Sequence, residues 1–166
     1  MTDTNTCSNA DTLVVSFYTL PVADLGNDTT ICIGDSISIN PNNSGQLYAW
    51  STTETTESVV IDSAGSYSIT VTDANTCRRS DTMQLSLYAL PVVDIQSDTT
   101  ICIGDSLILD AANAGASFLW QDASTNQNLT INTTGQYAVT VTDANTCANS
   151  DSMTLSLFSL PVVNLG

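Results

Sequence analysis

The string Val-Thr-Asp-Ala-Asn-Thr-Cys occurs twice without a change, at residues 71–77 and 141–147, and a partial copy, Thr2-Asp-Thr-Asn-Thr-Cys7, opens the chain. Each copy leads through an alternating polar and apolar stretch into Leu-Pro, at Leu20-Pro21, Leu90-Pro91 and Leu160-Pro161. A fixed offset of about 70 residues marks a tandem array. The array divides the chain into residues 1–19, the last strand of a truncated preceding repeat; two complete repeats, 20–89 and 90–159; and residues 160–166, the first strand of a following repeat. Each complete repeat sits near the lower size limit for independent folding.

Within a repeat the apolar residues alternate with a period of two. An entry strand, Leu-Pro-Val-Ala-Asp-Leu25, precedes Thr29-Thr-Ile-Cys32 and the turn Gly34-Asp35. Ile37 and Ile39 then point inward, as do Leu107 and Leu109 one repeat later. Tyr48 shares a strand face with Trp50, and Phe118 with Trp120, because side chains two apart lie on one side of a strand. These tryptophans, and Tyr67 and Tyr137, are expected in the core; an exposed platform for stacking sugars is the sharper alternative. A Gly two residues before a Tyr at the head of an alternating strand, Gly65-Ser-Tyr67 and Gly135-Gln-Tyr137, matches the tyrosine corner of immunoglobulin-type sandwiches. The Asp-Ala-Asn-Thr turn closes the last hairpin. About seven short strands, one Trp per repeat and no helical periodicity give an all-β fold of tandem immunoglobulin-like antiparallel sandwiches. Leu13, Val15 and Phe17 form the apolar face of an orphan last strand, which another chain or a filament neighbour is expected to cover.

Charge narrows the function. Seventeen acids stand against Arg78 and Arg79 alone, for a formal net charge of -15. A surface of that sign repels phosphate backbones, which argues against nucleic-acid binding. The chain has no His and no Lys. Ser-His and Cys-His nucleophile pairs, ordinary zinc sites, Schiff bases and P-loops therefore drop out. Glu54 and Glu57 have no counterpart in the second repeat, so a carboxylate pair for glycoside hydrolysis has no support in the repeat pattern. No enzymatic activity and no resident cofactor are expected. No apolar run is long enough to span a membrane.

The cysteines, at positions 7, 32, 77, 102 and 147, fit two repeat-consistent connectivities. Pairing within repeats joins Cys32 to Cys77 and Cys102 to Cys147, leaving Cys7 unpaired by truncation. Pairing between repeats joins Cys7 to Cys32 and Cys77 to Cys102, leaving Cys147. Modularity selects the first, since a small exported domain gains most from a staple inside itself. Either scheme implies an oxidising compartment.

The combination of Leu-Pro-Val-Val-Asp-Ile-Gln-Ser-Asp-Thr-Thr-Ile-Cys-Ile-Gly-Asp-Ser, an aromatic-x-Trp strand, Gly-x-Tyr-x-Val-Thr-Val-Thr-Asp and a final Asn-x-Cys resembles one known class. It is similar to the immunoglobulin-like, PKD-related repeats of giant surface proteins of the Bacteroidota, exported by the type IX secretion system and including gliding-motility adhesins. The common Gly before the last cysteine of such repeats is Thr76 or Thr146 here. The resemblance implies an extracellular, cell-surface location and a structural or adhesive role. The partners it implies are neighbouring repeats of the same chain, further copies in an oligomer or filament, and surface glycans or proteins. It also points to O-glycosylation at Asp-Ser and Asp-Thr pairs, namely Thr12, Thr29, Ser36, Ser63, Thr82, Thr99, Ser106 and Ser152, although the same pairs are ordinary turn and strand-start residues. Asp24 and Asp28, with Asp94 and Asp98, gather oxygen ligands at the head of each repeat, where Ca²⁺ could stiffen a junction; solvated loop acids are the plainer account, as the spacing matches no calcium loop.

The leading expectation is a stalk or filament segment of a long secreted surface protein. The alternative is an adhesin whose repeat loops, 41–58 and 111–128, bind a ligand directly.

Overall fold

The computed structural model describes residues 9–41, 43 and 46–163. Among them are twelve strands and no helix. The first repeat holds β1 (Thr29–Cys32), β2 (Ile37–Ile39), β3 (Leu47–Trp50), β4 (Val59–Ile61), β5 (Gly65–Thr72) and β6 (Arg78–Tyr88). The second holds β7 (Thr99–Cys102), β8 (Leu107–Asp110), β9 (Ser117–Trp120), β10 (Asn128–Ile131), β11 (Gly135–Thr142) and β12 (Ala148–Phe158). In each repeat a four-stranded sheet, β1-β6-β5-β3 or β7-β12-β11-β9, is accompanied by a two-stranded one, β2-β4 or β8-β10. The fold is immunoglobulin-like, with antiparallel pairing relieved by one parallel contact. β1 runs parallel to the end of β6, and β7 to the end of β12.

Two compact units divide the chain. One comprises the described residues of Met1–Asn27, Ser38–Val60 and Ser66–Gln84; the other comprises Asp28–Ile37, Ile61–Gly65 and the described part of Leu85–Gly166. This partition differs from the sequence repeat, because β1 and the end of β6 group with the second unit.

Alternation builds the core as the period of two requires. In the first repeat Ile39, Tyr48, Trp50, Val59, Ile61, Ile69, Val71, Met83 and Leu85 are buried. In the second, Leu109, Trp120, Ile131, Val139, Val141, Met153 and Leu155 form one cluster with Ile95 and Ala111. Each such side chain contributes about 1.5–3 kcal/mol when removed from water. Trp50 and Trp120 are only 5% and 2% exposed, which places them in the core and removes the sugar-stacking alternative for both. Their indole Nε1 atoms donate to Thr56 O and Asn126 O, each at 2.8 Å, so neither indole buries an unpaired donor. Tyr137 is half-buried, and its hydroxyl donates to Thr133 O at 2.8 Å. That bond back to the upstream backbone is the tyrosine corner expected from Gly135-Gln-Tyr137.

Two expectations are corrected. Among the described residues each repeat shows six strands where about seven were expected. The entry segment makes no ladder because a carboxylate takes the N–H that a partner strand would accept: Leu25 N donates to Asp81 Oδ2 at 2.7 Å and Ile95 N to Asp151 Oδ2 at 2.9 Å. Nor do residues 11–18 form a strand. Their equivalents β6 and β12 each lie between two neighbours, and residues 11–18 have none among the described residues. Leu13 and Phe17 are 85% and 92% exposed.

Candidate functional site

The Asp-Ala-Asn-Thr-Cys turn shared by the two complete repeats carries the cysteine that matters most, and its Asp holds it in shape. Asp73 Oδ1 accepts the N–H groups of Asn75 and Cys77 at 2.9 and 2.8 Å. Asp143 Oδ1 does the same for Asn145 and Cys147 at 2.8 and 2.9 Å. The backbone closes the turn, Asp73 N donating to Cys77 O and Thr76 N to Asp73 O, and the equivalent bonds recur around Asp143. A carboxylate taking two backbone donors makes charge-assisted bonds stronger than neutral ones. The spacing therefore needs Asp at its first position and leaves the cysteine fixed at the head of β6 or β12. Asp-x-Asn-x-Cys is an Asx-turn signal legible in the sequence, and its carboxylate is the group that caps the turn.

The other cysteine of each repeat lies at the opposite pole. Cys32 ends β1 opposite Tyr88, the last residue of β6, and Ile33 N donates to Tyr88 O at 3.0 Å. Cys77 immediately precedes Arg78, the first residue of that strand. β6 has 11 residues, so Cys32 and Cys77 are separated by about 35 Å of strand. A disulfide needs Cα atoms within about 7 Å. The same argument separates Cys102, opposite Phe158, from Cys147, which precedes Ala148. The expected bonds Cys32–Cys77 and Cys102–Cys147 are accordingly not formed.

The bond present is Cys32–Cys147, with a Cα–Cα distance of 5.5 Å and a sequence separation of 115. It joins the strand cysteine of one repeat to the turn cysteine of the next. The chain leaves the first repeat past Tyr88 and enters the second at Pro91, whose carbonyl accepts Asn149 Nδ2 at 3.0 Å. Asn149 lies two residues after Cys147. Exit pole and entry turn thus meet, and all these residues belong to the same compact unit. Cys147 is fully buried, while Cys77 is half-buried and Cys102 exposed, both with free thiols. Cys7 lies outside the described residues.

The remaining candidate residues are dispersed. Asp24 Oδ1 accepts Gly26 N at 2.9 Å, Asp94 Oδ1 accepts Gln96 N at 3.1 Å, and Asp98 Oδ1 accepts Thr154 N at 2.8 Å. Asp28 is exposed. These carboxylates act as turn and strand acceptors, and among the described residues no group of three or more His, Cys, Asp or Glu converges on one point. Of the hydroxyls suggested for glycosylation, Thr29 and Thr99 are half-buried, whereas Thr12, Ser36, Ser63, Thr82 and Ser152 face solvent; Ser106 follows the turn at Gly104. Among the described residues no helix is long and apolar enough to cross a membrane.

No family model matches the chain, and no curated protein matches it. Solved structures do. The insect immune protein hemolin is similar at 13% identity and a TM-score of 0.45, over 86% of this chain and 48% of that one. The titin I-band fragment I67-I69 is similar at 13% identity and 0.40, over 86% and 67%. The N-terminal four immunoglobulin domains of Dscam1 are similar at 15% identity and 0.35, over 80% and 44%. The chain therefore spans about half the length of hemolin.

Proposed function

We propose that this chain is a structural segment of a long, secreted, repetitive cell-surface protein, in which immunoglobulin-like repeats extend a stalk or assemble into a filament. The observation that carries the reading is the Cys32–Cys147 bond, which fastens one repeat to its successor instead of stapling a single domain. A cross-link of that kind serves a chain that must hold its repeats together. Disulfides persist in oxidising compartments, which supports an extracellular location. The net charge of -15 keeps a long array soluble and discourages non-specific association with nucleic acid. The resemblance of the repeat motifs to type IX-secreted surface proteins of the Bacteroidota supports the same assignment.

A second reading, direct adhesion, has its own observation. The turn motif is identical between repeats, whereas residues 41–58 and 111–128 differ most. A ligand-selective surface belongs in those segments, on the loops that flank β3 and β9, where a glycan or a surface protein would bind.

The structural reading is tested on the full-length protein in its cells. Imaging of the purified protein should show an elongated thread, and protease added to intact cells should remove it. A compact particle, or a protein protected until the cells are lysed, overturns the reading. Glycan or protein binding that survives exchange of the loop residues 121–127 for 51–57, with β9 and Trp120 left in place, removes the adhesive alternative.

A further inference from the structure

Each repeat carries one cysteine at each pole, and only the two that meet at the junction of residues 89 and 90 are bonded. The two left over are built like their bonded equivalents. Cys102 ends β7 opposite Phe158 as Cys32 ends β1 opposite Tyr88. Ile103 N donates to Phe158 O at 3.0 Å and Asp105 N to Cys102 O at 3.1 Å, matching Ile33 to Tyr88 and Asp35 to Cys32 at 3.0 Å each. Gly104 and Gly34, at φ +99 and +95, form the same left-handed turn after the cysteine. At the other pole Cys77 sits in the Asp-capped turn that holds Cys147.

What differs is cover. Phe158 is 61% exposed where Tyr88 is 39%, and Val163 is 77% exposed where Val93 is half-buried. Leu160 is exposed where Leu90 is half-buried, and Cys102 where Cys32 is half-buried. Cys77 is half-buried where Cys147 is fully buried. Each free thiol thus lies on surface that is covered wherever the same cysteine is bonded.

We propose that Cys102 and Cys77 are the two open ends of a covalent ladder, in which every repeat is bonded to the next through the pairing seen at Cys32–Cys147. Cys102 takes the turn cysteine of a repeat placed after it, and Cys77 takes the strand cysteine of a repeat placed before it. The partner is another repeat of this kind, recognised by an apolar pole and an Asp-capped Asn-Thr-Cys turn. Bond formation removes two protons and two electrons from the two thiols. A small-molecule disulfide such as glutathione disulfide accepts them, its own S–S bond breaking to release two thiols. The ladder rests on the geometry of the junction and not on the stalk reading. A spacer could function without it, so failure of the ladder leaves that reading standing.

The test adds a third repeat to the full chain, continuing from Leu160 with the sequence of residues 90–159. The protein is refolded in a glutathione redox buffer and mapped by non-reducing peptide mass spectrometry, with Cys32–Cys147 as the internal sign of correct folding. The expected product carries Cys102 bonded to the turn cysteine of the added repeat, and Cys102 no longer reacts with iodoacetamide. Cys102 remaining alkylated while Cys32–Cys147 is formed overturns the proposal. If the longer chain does not form Cys32–Cys147, the present chain bearing Cys7→Ser is oxidised at high concentration. A Cys102–Cys77 link between copies, lost in Cys77→Ser and in Cys102→Ser alone, then supports the ladder from a second copy. Symmetric Cys102–Cys102 links, or no link, overturn it.

Discussion

Among the described residues seven non-glycine side chains stand at positive φ, and three of them bear on the repeat. Thr76 and Thr146 have φ of +66 and +67, and Gln96 has φ of +89 where its counterpart Gly26 has +79. A β-branched residue in the left-handed region costs about 1–2 kcal/mol. The Thr before each turn cysteine thus stands at a position where Gly is the relaxed choice. Thr146→Gly and Gln96→Gly should each stabilise the folded chain, by about 0.5–1 kcal/mol after allowing for the freer unfolded state of glycine. Urea unfolding of the oxidised protein measures this, with Thr140→Gly inside β11 as a control that should lose a similar amount. Asp143 is the opposite case. Asp143→Ala strips the acceptor from the N–H groups of Asn145 and Cys147 and should cost about 2–3 kcal/mol. Asp143→Asn keeps an acceptor oxygen and should cost less, which separates loss of the charge from loss of the turn.

At the scale of elements, the second repeat has two carboxylates that the first lacks, one ending β8 and one in the loop after β9. Asp110 Oδ1 accepts Gln127 Nε2 at 2.7 Å and Ala112 N at 2.8 Å. The Gln127 bond, then the Ala112 bond, hold its carboxyl below the usual value of 3.8. Asp122 Oδ1 accepts Ser124 Oγ at 2.7 Å and Ser124 N at 2.9 Å, and these bonds lower its carboxyl in the same way. Depressed folded-state values mean that both groups support the fold above pH 3.8 and lose that support as pH falls through their lower folded values. Asn40 and Thr52 stand at the equivalent positions of the first repeat. Melting followed from pH 5 downward should therefore fall less steeply for Asp110→Asn/Asp122→Asn than for the parent. An unchanged acid limb would show that these bonds do not contribute.

The same scale separates what the sequence made legible from what it did not. Alternation located β3, β5 and their partners, and both tryptophans, because burying one face of a strand writes a period of two into the residues. The hairpin at Asp73 was legible because turn chemistry is local. The entry segment was misassigned as a ladder strand: its apolar spacing is strand-like, but its N–H partner is a carboxylate 56 residues away. The disulfide was out of reach for a related reason. Modularity favours a bond inside the repeat, whereas the parallel register of β1 on β6 sends the two cysteines to opposite poles. No local pattern encodes that register. Once it is known, the junction pairing is the arrangement that brings two cysteines within bonding distance.

For the molecule as a whole, the Cys32–Cys147 bond closes a loop spanning 115 positions. Its effect on the unfolded chain should therefore be large, typically about 2–4 kcal/mol for a bond of this class. In a protein of this size 1 kcal/mol shifts the melting temperature by about 2–4 °C, so reduction should lower it by about 5–15 °C. Cys32→Ser is the cleaner variant, because Cys147 is fully buried and a serine there would also bury a hydroxyl. Cys102→Ser, at an exposed free thiol, should leave the melting temperature of the oxidised chain unchanged. Chelation provides the contrast. Asp24, Asp94 and Asp98 each give Oδ1 to a backbone N–H, and among the described residues no group of three or more acids converges on one point. EDTA should leave the melting curve in place while a reductant moves it. A curve shifted by EDTA and insensitive to reductant would transfer the fastening of the repeats from the disulfide to calcium.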